Sequence, residues 1–211
     1  MLSRRRFLES AFVAAIAASL GAAEGKRAPR VVLRSSWQTV NIGDIAHTPG
    51  MLALLEKYFP EAVITLWPSN VDNGVKEMLA ARFPKLQFVG PKPDVAKLYA
   101  ENDFLLHGSG PSLVGEKQVA LWRQQGPKPY GVLGITQGSP SSETAKILSG
   151  AQFVYFRDSV SLATAKAAGV KCPVMEFGPD GAFATDLRNE EKAEAFLHGW
   201  GLERGKFLCC I

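Results

Sequence analysis

The chain has 211 residues, of which 46% are hydrophobic and 21% charged, so its composition is that of a globular protein and excludes a disordered one. The net charge is only +4, and the charged residues are evenly scattered along the chain. This excludes the strongly basic surface of a protein that binds nucleic acid or anionic membranes. Three cysteines are too few for a disulfide framework. The length allows one large domain or one and a half.

Residues 1–25 are predicted to be a twin-arginine signal peptide. Arginines at positions 4–6 precede an apolar run at 11–20, and small residues at 21–23 offer a cleavage site. The run is about half of the ~20 residues that span a bilayer, so cleavage is favoured over a membrane anchor. We therefore expect the twin-arginine (Tat) machinery as a partner and export to the periplasm or cell envelope; the protein stays cytoplasmic if the signal is not used. The alternatives are an amphipathic N-terminal helix and an uncleaved signal.

A strand, a polar loop and a helix are predicted between residues 31 and 55. Residues 31–33 form a short apolar run, and Thr48-Pro49 is a typical helix start, because threonine caps a free N–H and proline has none to leave unpaired. Asn41, Gly43 and Asp44 are then expected in the loop ahead of the helix. Such a loop lies at the carboxyl end of a strand, where ligands bind in open α/β sheets. A sharp turn capped by its own polar side chains is the alternative.

The rest of the chain alternates between apolar runs and helical spacings. Strands are predicted at 62–67, 86–89, 103–106, 130–135 and 151–156, and helices over 71–83, 95–99, 113–122, 143–148 and 160–168. Continuously apolar strands that alternate with helices are typical of a parallel sheet covered on both faces. We therefore predict an α/β fold, a Rossmann-like parallel sheet flanked by helices, over residues 30–200.

Four loops that follow strands are expected at one edge of this sheet. One is the loop at residues 41–44, and the other three loops begin near residues 107, 136 and 157. The candidate ligand-binding residues that they carry are Gly108, Ser109, Gly110, Gln137, Gly138, Arg157 and Ser159. For each loop alone, the alternative is that a strand-to-helix turn needs such residues anyway.

Five motifs in this order carry a family likeness. They are Asn-Ile-Gly-Asp at 41–44, His-Gly-Ser-Gly at 107–110, Gly-Ile-Thr-Gln-Gly at 134–138, Phe-Arg-Asp-Ser at 156–159 and Gly-Pro-Asp-Gly-Ala-Phe at 178–183. The chain resembles the polysaccharide pyruvyl transferase family. The resemblance implies one half of a two-domain transferase of the GT-B type, with residues 201–211 opening a second domain, whose first strand is expected at 207–211.

The resemblance also implies a reaction. Family members move a pyruvyl group from phosphoenolpyruvate onto a sugar of a cell-surface polysaccharide, such as an exopolysaccharide, and form a ketal. The implied partners are phosphoenolpyruvate and a sugar or polysaccharide acceptor, with no nucleic acid, no metal and no organic cofactor. The family's second half supplies a histidine for proton transfer. Two alternatives stay open: an exported protein that binds a small anion or sugar without catalysis, and an inactive truncated remnant.

Phosphoenolpyruvate is a small, multiply charged anion, which makes Arg157 the strongest candidate ligand. A guanidinium stays charged and matches a carboxylate or phosphate with two parallel hydrogen bonds. The alternative is an ion pair with Asp158 or another acid at the sheet edge. Ser159 is expected at the start of a helix, where it either binds the same anion or only caps the helix.

The catalytic residues are not determined by the sequence, and Asp44, His107 and Asp180 are candidates for acid/base work. Each aspartate has a turn cap as its alternative, and His107 has the alternative of a hydrogen-bonded wall residue. His47 and His198 lie near no predicted partner. Three scattered histidines do not predict a metal site.

Overall fold

The computed structural model describes residues 27–208. The predicted signal peptide lies outside this range, as do residues 209–211 of the strand expected at 207–211. Within the described range the strands are β1 (Arg30–Ser35), β2 (Val63–Pro68), β3 (Gln87–Phe88), β4 (Phe104–His107), β5 (Tyr130–Ile135), β6 (Phe153–Phe156) and β7 (Val174–Phe177). The helices are α1 (Ile42–Tyr58), α2 (Val75–Arg82), α3 (Val95–Glu101), α4 (Glu116–Gln125), α5 (Ser142–Ser149), α6 (Ser159–Ala167) and α7 (Glu190–Gly199), with a 3₁₀ turn at Gly181–Ala184.

The strands form a single seven-stranded sheet in the order β3-β2-β1-β4-β5-β6-β7, and every pairing is parallel. The predicted Rossmann-like α/β fold is confirmed. None of the helices between residues 27 and 208 is long and apolar enough to cross a membrane.

Alternate residues of the central strands pack into two apolar layers, one on each face of the sheet. On β1, Val31 and Leu33 pack into the layer under α1 and α2, whereas Val32 packs into the opposite layer with α4. The strands are continuously apolar because both faces are covered. Burying one such side chain contributes roughly 1.5–3 kcal/mol, so these layers hold the sheet and fix its carboxyl edge.

The chain reverses its direction of travel across the sheet between β1 and β4. It moves outward from β1 through β2 to β3, and then returns to place β4 on the other side of β1. The loops after β1 and β4 therefore lead to opposite sides and leave a crevice at the carboxyl edge, which is where open α/β sheets bind ligands.

The predicted start of the first helix is wrong. Helix α1 begins at Ile42, capped by Asn41, whose side chain accepts a hydrogen bond from the Gly43 amide at 2.8 Å. Pro49 lies inside this helix, and the Thr185 hydroxyl donates to the Ala46 carbonyl nearby at 2.8 Å. The Asn-x-Gly-Asp motif is thus the helix cap and first turn, because the Asn41 cap starts the helix about two turns before Thr48.

Three further expectations differ from the structure. Strand β7 and helix α7 were not predicted. Asp158, not Ser159, caps α6, since its side chain accepts from the Ser161 amide at 2.7 Å. Phe207 and Leu208 do not form a strand.

Candidate active site

The carboxylate of Asp180 joins three elements at the carboxyl edge of the sheet. Its Oδ1 lies 2.8 Å from Nδ1 of His47 on α1, and its Oδ2 accepts from Nη1 of Arg157, just after β6, at 2.6 Å. Oδ1 also accepts from the Ala182 amide at 2.9 Å, so Asp180 caps its own turn as well. We call His47, Asp180, Arg157 and Ser109 the Asp180 cluster.

Glycines allow the Asp180 loop to lie directly on α1. A Cβ added to Gly50 would come within 1.9 Å of the Gly181 carbonyl oxygen. This oxygen belongs to the backbone, so it cannot move aside as the end of a long side chain could. A Cβ on Gly181 would come within 2.7 Å of the Ser109 Oγ and the Met51 Sδ. Small residues at both positions are therefore required to bring Asp180 within reach of His47.

His47 is held through one ring nitrogen only. Nδ1 lies 2.8 Å from Asp180 and 2.9 Å from the Ser109 hydroxyl. An ionised carboxylate only accepts hydrogen bonds, so Nδ1 carries the proton. Nε2 makes no hydrogen bond with any residue of the described range. Ser109 and Asp180 share Nδ1, which is not the arrangement of a Ser-His-Asp triad, where the serine contacts the opposite ring nitrogen.

Arg157 is oriented by two contacts. Its Nε donates to Thr136 Oγ1 at 2.7 Å and its Nη1 donates to Asp180, while 29% of the side chain is exposed. No acceptor between residues 27 and 208 hydrogen-bonds to its Nη2. The ion pair considered as an alternative does form, but with Asp180 and not with Asp158.

The contacts of Asp180 keep it ionised. Burial by itself raises the pKa of a carboxyl group, but hydrogen bonds from His47, the Ala182 amide and Arg157 outweigh it and hold the pKa of Asp180 well below its ordinary value. Asp180 is therefore an anion at neutral pH, suited to orienting cationic neighbours and unsuited to donating a proton.

Asp44 lies in the first turn of α1. Gln38 donates to its Oδ2 at 2.6 Å, and the Gln38 side-chain oxygen accepts from the Asn41 amide at 2.9 Å. Asp44 is half-buried, and Asn41 and Gly43 beside it are exposed. The Asn-Ile-Gly-Asp motif at 41–44 thus lies one helical turn before His47 on α1. We call these residues the rim of the site.

His107 is fully buried beneath this rim, behind the crevice. Its Nε2 accepts from the Gly115 amide at 2.9 Å, and its ring stacks on Trp37 with centroids 4.9 Å apart. Burial, helped by the nearby charge of Arg34, lowers the pKa of His107 to about 3. His107 is therefore a neutral wall residue, as its alternative interpretation states, because no solvent path reaches it for proton transfer.

Arg34 is a buried cation beside His107. Its guanidinium donates to the Trp67 carbonyl at 2.9 Å and the Ser69 hydroxyl at 2.6 Å, and lies 4.9 Å from the Trp37 ring centroid. Burial lowers its pKa to about 10, so it is still charged at neutral pH. No carboxylate of the described residues pairs with it.

The remaining predicted site residues divide into two groups. Gly108 and Gly110 are buried, and Gly110 is needed for packing, since an added Cβ would come within 2.7 Å of Trp37 Nε1. Gln137, Gly138 and Ser159 lie at the rim without a hydrogen bond to the Asp180 cluster; the Gln137 amide donates to Ser161 Oγ at 2.8 Å, and Ser159 is exposed.

His47 is the residue that sequence reasoning missed. Once Asn41 is recognised as the cap, His47 falls on the same helical face as Gly50 and the buried Met51, three and four residues further on. That spacing indicates a histidine that faces the sheet. The mistaken helix start at Thr48 concealed it. Nowhere in residues 27–208 do three or more potential ligands group into a metal site.

A protein-family model described as "Polysaccharide pyruvyl transferase" matches residues 41–204. The match spans α1 through α7 and includes every residue of the Asp180 cluster. No curated protein matches the chain significantly.

Proposed function

Because the chain belongs to the polysaccharide pyruvyl transferase family, we propose that it moves a pyruvyl group from phosphoenolpyruvate onto a sugar of a cell-surface polysaccharide. The donor anion binds in the crevice at the carboxyl edge, and Arg157 is its main ligand. The observation that carries the proposal is the guanidinium of Arg157, fixed on one side and unengaged at Nη2.

The fixed orientation of Arg157 favours anion binding. A free arginine loses side-chain entropy when it binds a ligand, whereas contacts with Thr136 and Asp180 have already restricted this one. The N–H groups at Nη2 and the second N–H at Nη1 remain to meet a carboxylate or phosphate.

A second cation and a helix end lie in the surroundings of Arg157. Asp180 offsets one positive charge, but Arg34 adds a second that no carboxylate of the described residues offsets. The positive end of α1 also opens at Asn41, next to the same crevice. Asp44 is a second carboxylate at the rim, so these four charged groups sum to zero, and the unengaged Nη2 of Arg157 and the end of α1 are the features that favour an anion.

Asp44 is suited to the sugar acceptor. Gln38 occupies its Oδ2, and within the described part of the chain its Oδ1 has no hydrogen-bond partner. A carboxylate with one free oxygen at an exposed rim accepts hydrogen bonds from sugar hydroxyls. We therefore assign Asp44 to acceptor binding in this proposal.

Calorimetric titration of the full chain with phosphoenolpyruvate tests the donor site. We expect Arg157→Lys to weaken binding about tenfold to hundredfold, because one ammonium cannot replace a two-pronged contact worth about 1.5–3 kcal/mol. Arg204→Lys is the matched control, since Arg204 forms an exposed ion pair with Glu190 on α7. Unchanged affinity in a folded Arg157→Lys protein would remove Arg157 from the site. Anion binding without phosphate release on any sugar would favour the exported binding protein instead.

Export by the twin-arginine route is the proposed location. Replacing Arg4 and Arg5 with lysine should abolish export of a folded reporter, because recognition depends on paired guanidinium groups and not on charge alone. Arg6→Lys, outside the pair, is the control and should leave export intact. Normal export of the double variant would contradict the assignment.

A further inference from the structure

We propose that His47 is a proton-transfer residue of this domain, additional to the histidine that the resemblance assigns to the family's second half. It donates from Nε2 to C3 of phosphoenolpyruvate and then accepts the proton of the attacking sugar hydroxyl. The inference rests on the proposed function and deepens it. Three observations carry it: Nδ1 is fixed by Asp180, Nε2 is without a partner among residues 27–208, and His47 shares one carboxylate with Arg157.

The carboxylate of Asp180 equips His47 for this role. It accepts a hydrogen bond from Nδ1 at 2.8 Å, which keeps a proton on Nδ1 and directs Nε2 away from the carboxylate. A proton donor of this kind carries protons on both ring nitrogens, and Asp180 places a carboxylate beside the one on Nδ1. The His47 side chain is only 6% exposed, so little water competes at the ring.

The shared carboxylate places the proton donor next to the anion ligand. His47 occupies Oδ1 of Asp180 and Arg157 occupies Oδ2, on either side of one planar group. In the proposed complex, a small anion held by Nη2 of Arg157 therefore lies one carboxylate away from the imidazole. Phosphoenolpyruvate is only three carbons long, so its double bond stays close to whichever anionic group Arg157 holds.

The step balances without an oxidant or a further reactant. His47 starts as the imidazolium, with protons on both ring nitrogens. Its Nε2 proton and the π electrons of C2=C3 form the new C3–H bond, which leaves His47 neutral and C2 electron-poor. The first sugar hydroxyl adds its oxygen to C2 and returns its proton to Nε2. The second hydroxyl then forms its own bond to C2 as the C2–O bond to phosphate breaks, and its proton leaves with the phosphate. His47 ends in its starting state.

Asparagine and glutamine at position 47 test the proposal. Both side chains keep an N–H that donates to Asp180, but neither can transfer a proton. With the full chain, phosphoenolpyruvate and a panel of methyl hexosides, we expect His47→Asn to lower phosphate release at least about a hundredfold, the usual scale for a lost general acid. Affinity for phosphoenolpyruvate, by calorimetry, should change less than about threefold.

The controls separate this inference from the proposed function. His198→Asn removes an exposed histidine of α7 that makes no hydrogen bond to the Asp180 cluster, and it should keep both turnover and binding. His47→Gln is the second variant if the asparagine variant does not fold. Turnover within about tenfold of the wild type in either folded variant would overturn the role of His47 and leave the transferase proposal standing. A wild-type chain that neither binds phosphoenolpyruvate nor releases phosphate would overturn the transferase proposal itself.

Discussion

His47 and His107 lie at the same edge of one sheet in opposite surroundings. His47 contacts a carboxylate that also holds Arg157, and its second nitrogen is unengaged within the described residues. His107 is sealed between Trp37 and Arg34, accepts one backbone hydrogen bond and has no carboxylate partner there. We call the second group the Trp37 cluster, formed by Trp37, Arg34 and His107.

The difference shows that a carboxylate partner, not a place after a strand, gives a histidine chemistry to perform. The Asp180 cluster keeps an ionised carboxylate against Nδ1 of His47. The Trp37 cluster holds a neutral ring as a packing element, with its pKa lowered to about 3 by burial.

The largest effect is expected from Gly50→Ala. Alanine in place of a helical glycine normally stabilises a helix by about 1 kcal/mol. Here the added Cβ would lie 1.9 Å from the Gly181 carbonyl oxygen, so α1 and the Asp180 loop must separate. We expect a net loss of about 3 kcal/mol or more in the free energy of unfolding, measured with urea.

Gly90→Ala is the matched control for this experiment. An added Cβ there meets no atom within 4 Å, so its free energy of unfolding should stay close to that of the wild type. A Gly50→Ala protein as stable as the wild type would mean that the Asp180 loop does not lie directly on α1, and the cluster would lose its rigid frame.

The sequence predicted the sheet well because the information is local. Continuous apolar runs such as 130–135 specify a strand buried on both faces wherever they occur, and β5 has those bounds. Strand β7 was missed because it is an edge strand with Glu176 and Phe177 exposed, so it shows no continuous apolar run.

The site was predicted only in part because its contacts are not local. Asp180 and Arg157 were recognised by type, but their pairing joins residues 23 apart in the sequence, and His47 lies 133 residues from Asp180. No spacing rule connects such positions. Asn41 was predicted to lie in a loop and the helix to start at Thr48, which left His47 outside the predicted helix.

Asp180→Asn should have the next largest effect, because it removes the charge that both His47 and Arg157 contact. We expect the free energy of unfolding to decrease by about 2–3 kcal/mol at pH 7, the scale of hydrogen bonds to a charged group. The low pKa of Asp180 means that its contribution is present above about pH 4 and is lost as the pH falls through the folded-state value. Urea unfolding across the pH range measures both effects.

Asp186→Asn provides the comparison for that variant. Asp186 pairs with Arg82 on the surface with 46% of its side chain exposed, and such pairs contribute at most about 1 kcal/mol. Equal losses in the two variants would show that Asp180 acts as an ordinary surface acid.

The Trp37 cluster should respond to pH in a different window. The unfolded chain protonates His107 below about pH 6.5, whereas the folded chain keeps it neutral down to about pH 3. The unfolded state thus binds more protons, so the free energy of unfolding decreases as the pH is lowered. The decrease is about 1.4 kcal/mol per pH unit below the unfolded-state pKa, or about 2 kcal/mol between pH 7 and 5. His107→Gln should reduce this slope, while His198→Gln should not. An unchanged slope in His107→Gln would contradict the sealed, neutral state.

The smallest effect is expected at Ser109, which joins the two clusters. Its hydroxyl contacts His47 Nδ1 at 2.9 Å, and its carbonyl accepts from Trp37 Nε1 at 2.7 Å. Ser109→Ala removes only the first contact, and Nδ1 keeps its bond to Asp180, so the loss in unfolding free energy should be about 1 kcal/mol or less. Trp37→Phe leaves the buried carbonyl without its donor and should cost more, about 1–3 kcal/mol before any loss of packing. If Ser109→Ala costs as much as Asp180→Asn, the serine and not the carboxylate holds His47, and the two clusters must be treated as one.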